Sequence, residues 1–110
     1  MKFVQWHFRN NKKRKLGKKK NGKHPSIVFA ISDDEKYYYN LGITKSPRRG
    51  HHHNLEIHNP QNWDELSYVR NDLSVDEVEL LDIVLKDYSL HPDDYKKIWD
   101  RIIKDKIDKK

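Results

Sequence analysis

Residues His24 to Ser46 read HPSIVFAISDDEKYYYNLGITKS, and how this stretch folds decides the rest of the chain. Ile27-Val28-Phe29-Ala30-Ile31 is an unbroken apolar run, the pattern of a strand buried on both faces. Pro25 fits a strand's opening residue, where no ladder N–H is required. Asp33-Asp34-Glu35 interrupts the run, and Tyr37 to Thr44 resumes it, with Leu41 and Ile43 on the face of Tyr37 and Tyr39. The stretch therefore predicts two strands joined by an acidic turn. Three consecutive tyrosines serve either as cross-strand packing or as stacking surfaces for bases.

Working back toward the start, Lys2 to Phe8 (KFVQWHF) mixes aromatic and β-branched residues and predicts a first strand. Between it and His24 lies a basic stretch broken by Gly17 and by Asn21-Gly22, a strong turn signal. Arg9, Lys12, Lys13, Arg14, Lys15, Lys18, Lys19, Lys20 and Lys23 fall here with no acid among them. Removing those nine from the chain's 23 Lys and Arg leaves 14 against 17 Asp and Glu. The net charge of +6 is thus a local device, which points to a polyanion docking at one place. Cations at this density repel one another unless phosphate neutralises them. The stretch reads as a hairpin arm that orders on a partner, or as a solvated loop.

Working forward, Leu55 to His58 and Leu66 to Arg70 predict a fourth and a fifth strand, with Asn59-Pro60 and Asn71-Asp72 as stops and 61–65 as a loop carrying Trp63. Ser74-Val75-Asp76-Glu77 has the form of a capping box and predicts a helix from Val75 to about Asp87, burying Val78, Leu81, Val84, Leu85 and Tyr88. A second helix is expected from Pro92, with Asp93 and Asp94 favouring its dipole. Its apolar stripe is Tyr95, Ile98, Trp99, Ile102, Ile103 and Ile107. The fold class is α+β in one domain: a small, strongly bent antiparallel sheet or barrel of about five strands, followed by two C-terminal helices. The β-rich part spans 1–71 with the arm at 9–24, and the helical part spans 74–108.

Composition narrows the class. Hydrophobic residues make up 35% of the 110, charged residues 36%, and the mean hydropathy is −1.11, so much of the chain is solvated or faces charge. Without cysteine there is no disulfide framework and no thiolate zinc site. No apolar run reaches the roughly 18 residues a membrane span needs, and no apolar signal segment follows the basic start. A soluble, cytoplasmic protein is the expectation, with no membrane partner. From Asp72 to Lys110 there are 11 acids against eight bases, so the predicted helical end is not the nucleic-acid face.

Two chemistries compete for the centre of the chain. His51-His52-His53 and His58 invite a metal, and a catalytic zinc site needs three ligands and an open position. On a continuous strand, however, His51 and His53 share a face with Leu55 and Ile57, which leaves Glu56 and His58 as a possible pair and no full set. No metal or other cofactor is therefore expected. The phosphate reading needs fewer assumptions. Cutting RNA without a metal takes the 2′-hydroxyl as nucleophile, an acid, a base and groups that stabilise the transition-state charge. His24, Thr44, Ser46, Arg48, Arg49, His51, Ser67 and Arg70 fall at or near predicted strand ends or in one loop. Thr44, Ser46, Arg70 and His51 are the candidate catalytic residues. Lys12, Lys13, Arg14, Lys15, Lys18, Lys19, Lys20, Arg48 and Arg49 are the candidate nucleic-acid contacts. The bland alternative is that Thr44 and Ser46 cap the turn before Pro47 and that Arg48-Arg49 is solvated.

The order HPSIVFAI, YYYNLGITKS and SYVR resembles the PemK/MazF-like toxin endoribonucleases over roughly residues 23 to 71. That resemblance implies a small barrel and a metal-independent ribonuclease of a toxin–antitoxin pair. It matches Thr44 and Ser46 to the hydroxyl residues of the family's "ITS" strand, with Lys45 intervening, and maps the family's loop arginine loosely onto the basic arm. His24 stands where the family has arginine. The leading expectation is a phage- or mobile-element-type nucleic-acid-binding protein, with RNA the favoured partner and cleavage one form of it. The alternatives are a non-enzymatic, anti-CRISPR-type inhibitor that binds a nucleic-acid-processing protein, and an RNA-anchoring accessory protein.

Overall fold

A computed structural model describes residues 1–11 and 25–108. Of the arm expected at 9–24, Arg9 to Asn11 instead complete β1, and the rest, with Lys12 to Lys20, Lys23 and His24, lies outside the described residues. The strands are β1 (Lys2–Asn11), β2 (Pro25–Ile31), β3 (Tyr37–Thr44), β4 (Arg48–Arg49), β5 (His52–His53), β6 (Leu55–Asn59), β7 (Asn62–Glu77) and β8 (Leu81–Val84). A 3₁₀ turn at Val78–Leu80 separates the last two. One helix, α1, runs over 92–108, with α geometry at Pro92–Ile98 and Lys104–Asp108 around a π segment at Trp99–Ile103.

Six strands form one antiparallel sheet in the order β6-β7-β3-β2-β1-β8, and β4 and β5 form a separate hairpin. The α+β class and the antiparallel sheet follow the sequence reading, with six strands in the sheet where about five were expected and, among the described residues, one helix where two were expected. The sheet is open, with β6 and β8 at its edges, where a barrel was the alternative. Its ladder shifts register between Phe3 and His7 on β1 and between Val28 and Ala30 on β2, as at β-bulges.

The largest departure is the first predicted helix. Residues 62–77 form a single 16-residue strand that absorbs the expected loop around Trp63, the stop at Asn71-Asp72 and the capping box. Ser74 pairs with Asn40, Val75 with Tyr39 and Glu77 with Tyr37. A capping box contributes on the order of 1 kcal/mol. It competes here with unbroken pairing of Leu73 to Glu77 against β3, with Leu73 packed on the core and with an Asn40 Nδ2 to Asp76 Oδ2 hydrogen bond of 2.9 Å. The chain then continues as β8, an edge strand paired with β1, in which Leu81 is buried while Ile83 and Val84, the latter expected in the helix's buried stripe, are exposed.

The expected burial of Ile27 to Ala30 is observed on the central β2. Ile27, Phe29, Leu41, Ile43, Ile57 and Val69 build one face of the sheet, and α1 closes it with Ile98, Ile102 and Ile103. Fully burying a side chain of this size contributes roughly 1.5–3 kcal/mol, so this layer carries the fold. The π segment widens the helix where Ile102 and Ile103 are both turned inward. Tyr95, assigned to the buried stripe from its spacing, is 43% exposed at the rim, with its ring 5.1 Å from Trp6.

Candidate functional site

Strand direction gathers the polar strand ends at one edge of the molecule. β1 ends at Asn11 where β2 begins at Pro25, and the register pairs Asn10 with Pro25. β3 runs antiparallel to β2, so Thr44 ends it on that same side. The turn from Asn59 to Asn62 closes β6 and β7 there too. Between these ends lies an open cleft of about 630 Å³, lined among others by Pro25, Thr44, Lys45, Ser46, Gln61 and Ser67. That volume lies within the range of small-ligand sites.

Local hydrogen bonds fix the cleft's lip. The Thr44 hydroxyl accepts the Ser46 N–H at 3.2 Å, and the Ser67 hydroxyl donates to the Thr44 carbonyl at 3.2 Å. The expectation that Thr44 and Ser46 cap a turn is thus correct, and the same two residues line the cleft. Asn54 ties down the following hairpin: its Nδ2 donates to the Ser46 carbonyl and its N–H to the Pro47 carbonyl. On that hairpin Arg48 faces His53 and Arg49 faces His52, and all four side chains are exposed. Gly50 makes its turn with φ of 60°, and His51, next to it, has an ordinary negative φ. Glycine first is the sequence of a type II′ hairpin turn. The break at this turn and at Asn54 removes the continuous strand on which His51 and His53 were to share a face with Leu55 and Ile57.

The sequence-derived candidates therefore divide. Thr44, Ser46, Lys45 and Ser67 meet in the cleft. Arg48, Arg49 and His51 stand on the hairpin rooted at its lip. Arg70 follows Val69 on β7 and is not among the cleft's lining residues, nor is any histidine among those described. The tyrosines serve mainly as packing at the other end of β3. Tyr39 meets Phe29 at 6.5 Å, and Tyr38 lies beneath the Arg9 guanidinium and beside His7. Tyr88, on the cleft wall, has its phenol pushed upward first by burial and then by the neighbouring Asp87, so it stays a neutral donor.

A second cluster lies between β6 and the first turn of α1. Asp94, in the first turn of α1, is 1% exposed and accepts the His58 backbone N–H at 2.9 Å. Its Oδ2 also lies 3.1 Å from His58 Nδ1. His91 caps the helix, its Nδ1 accepting the Asp93 N–H at 3.1 Å, and its ring stacks on His58 with centroids 3.9 Å apart. Trp63 presses edge-on against His91 and donates from Nε1 to the Ser89 carbonyl at 2.9 Å. His58 was read from the sequence as a partner for Glu56 and Asp94 only as part of a helix start, while His91 was given no role. The signal that links them is a histidine three residues before an aspartate across a helix N-terminus, where both reach one side of the first turn. These three residues are the described group able to offer ligands to a metal.

Comparison with protein-family models, curated proteins and solved structures finds no match to this chain. Among the described residues, no helix is long and apolar enough to cross a membrane.

Proposed function

We propose that the cleft end of the sheet binds single-stranded nucleic acid, with RNA preferred. The observation that carries this reading is a juxtaposition. Thr44, Lys45 and Ser46 line a cleft bordered by Pro25, the residue that follows in sequence the stretch 12–24 with its eight cations and no acid. Lys45, Arg48 and Arg49 are exposed around the same lip and add positive charge where a phosphate backbone would pass. Hydroxyl and amide groups from Ser46, Ser67, Asn59 and Gln61 offer partners for a ribose 2′-hydroxyl and for unpaired base edges. Binding rather than cleavage is proposed, because the described cleft residues supply hydroxyls and an ammonium group while His51, the candidate acid or base, stands outside on the hairpin.

The test is a gel-shift titration of labelled single-stranded RNA and duplex DNA, with and without EDTA. Wild-type protein is expected to shift RNA intact. Lys45→Glu, a change at an exposed side chain, is expected to weaken the shift at least tenfold with unchanged thermal stability. RNA cleavage that survives EDTA and disappears in Thr44→Ala would replace this reading with a metal-independent ribonuclease. No shift of either nucleic acid would overturn it in favour of a protein partner.

A further inference from the structure

We propose that His58, His91 and Asp94 form a binding site for a divalent cation of the zinc type, set between β6 and the first turn of α1. Each side chain brings one ligand atom to within 4.8 Å of the other two. Two imidazoles and one carboxylate, with a position left open, are the donor set of three-ligand zinc sites, whereas Mg²⁺ and Ca²⁺ favour all-oxygen shells. The site is built from two elements, and its anion is buried: Asp94 is 1% exposed and is held in place by the His58 backbone N–H. A buried carboxylate beside two imidazoles lacks a full counter-charge unless an imidazole is protonated, and a divalent cation supplies it.

The neighbouring contacts orient the ligands. For Nε2 of His91 to take a metal its Nδ1 must carry the proton, so the cap bond from the Asp93 N–H gives way to an Nδ1–H directed at the Asp93 carboxylate, 3.7 Å away, while Trp63 packs against the ring. Zinc–ligand bonds of about 2.0–2.1 Å place tetrahedral donors about 3.3 Å apart, so ion binding contracts the group by at most about 1.5 Å from a spread within 4.8 Å. The ring of His58 can make that movement. Its side chain is 39% exposed, and turning it off the His91 stack exchanges a ring contact and a carboxylate hydrogen bond for two metal bonds. The same exposure provides the open position. The exposed His51, His52 and His53 on the hairpin are a separate place where zinc would collect adventitiously.

Calorimetric titration of the untagged full chain with zinc chloride, and separately with magnesium chloride, tests the site. Four proteins are compared: wild type, His58→Gln, His91→Gln, and a triple variant with glutamine at positions 51, 52 and 53. The expected result is one zinc equivalent with equal affinity in wild type and the triple variant, a loss of about tenfold or more in each single variant, and no magnesium binding. Zinc should also raise the melting temperature of the first two proteins and not of His58→Gln, whose part-exposed position makes it the safer variant for folding. Zinc affinity that survives His58→Gln but is lost in the triple variant would overturn the proposal, as would the absence of saturable zinc binding in wild type.

Discussion

Replacing Asp94 by alanine should be among the most damaging single changes at a polar position in this protein. The carboxylate is 1% exposed, and it is the acceptor for the His58 backbone N–H at 2.9 Å and the neighbour of the His58 ring nitrogen at 3.1 Å. Removing it strands a donor whose hydrogen bond to a charged acceptor is worth about 1.5–3 kcal/mol. It also removes an anion from the first turn of α1, worth about 0.3–1 kcal/mol through the helix dipole. Together these give a loss of about 2–4 kcal/mol, a large share of the roughly 5–15 kcal/mol that holds a typical domain. At about 4–8 °C per kcal/mol for a domain near this size, the melting temperature should fall by at least ~8 °C. Urea denaturation should show a lower midpoint with an unchanged slope, since the same surface is exposed on unfolding. Asp94→Asn keeps an acceptor for the backbone N–H and should cost less than half as much. A change below ~0.5 kcal/mol for Asp94→Ala would refute the reasoning, because α1 would then not be locked to β6 through this side chain.

Other outcomes follow from the same geometry. Asp76→Ala should cost about 1–2 kcal/mol in urea denaturation, because Asn40, fully buried, would keep only the 3.4 Å contact from Nδ2 to the Ser74 carbonyl. Phe29→Ala should cost about 3–5 kcal/mol by the same assay, since its ring fills the layer between β2 and α1. Asp34 is held below the ordinary aspartate value of 3.8, first by the Ser32 hydroxyl at 2.6 Å and then by the Lys36 N–H. Its contribution to the β2–β3 turn is therefore complete above about pH 3.8 and is lost as the pH falls through its lower folded value. Amide chemical shifts of Lys36 and Tyr37 should report that midpoint, and Asp34→Asn should abolish the transition.

What the sequence revealed, and what it hid, can be traced to particular residues. The β2–β3 pair was legible because its signals agree: Pro25 opens a strand, five apolar residues fill it, and Asp33-Asp34 turns it. The start of α1 was legible from Pro92 and the acids after it. At Ser74 to Glu77 local and long-range preferences conflict, and a four-residue cap signal cannot reveal that Asn40, 36 positions from Asp76, awaits a partner. The same limit applied to the candidate site. Thr44 and Ser46 were found because strand ends carry chemistry on a rigid frame. Asp94 and His91 were missed because they meet His58 only through the packing of α1 against β6. The histidine run drew attention by composition, yet Gly50 folds it outward into an exposed hairpin.

The most direct test of the nucleic-acid reading is the salt dependence of single-stranded RNA binding. Affinity should be measured over a series of salt concentrations for wild type and for a variant with glutamine at Lys45, Arg48 and Arg49, three exposed positions. For single strands, log K falls with log salt by about 0.7 for each phosphate neutralised, so removing three contacts should flatten the slope by about 2 and weaken binding at low salt. Equal affinity and equal slope for the two proteins would contradict the account, because RNA would then bind somewhere other than the cleft and its hairpin.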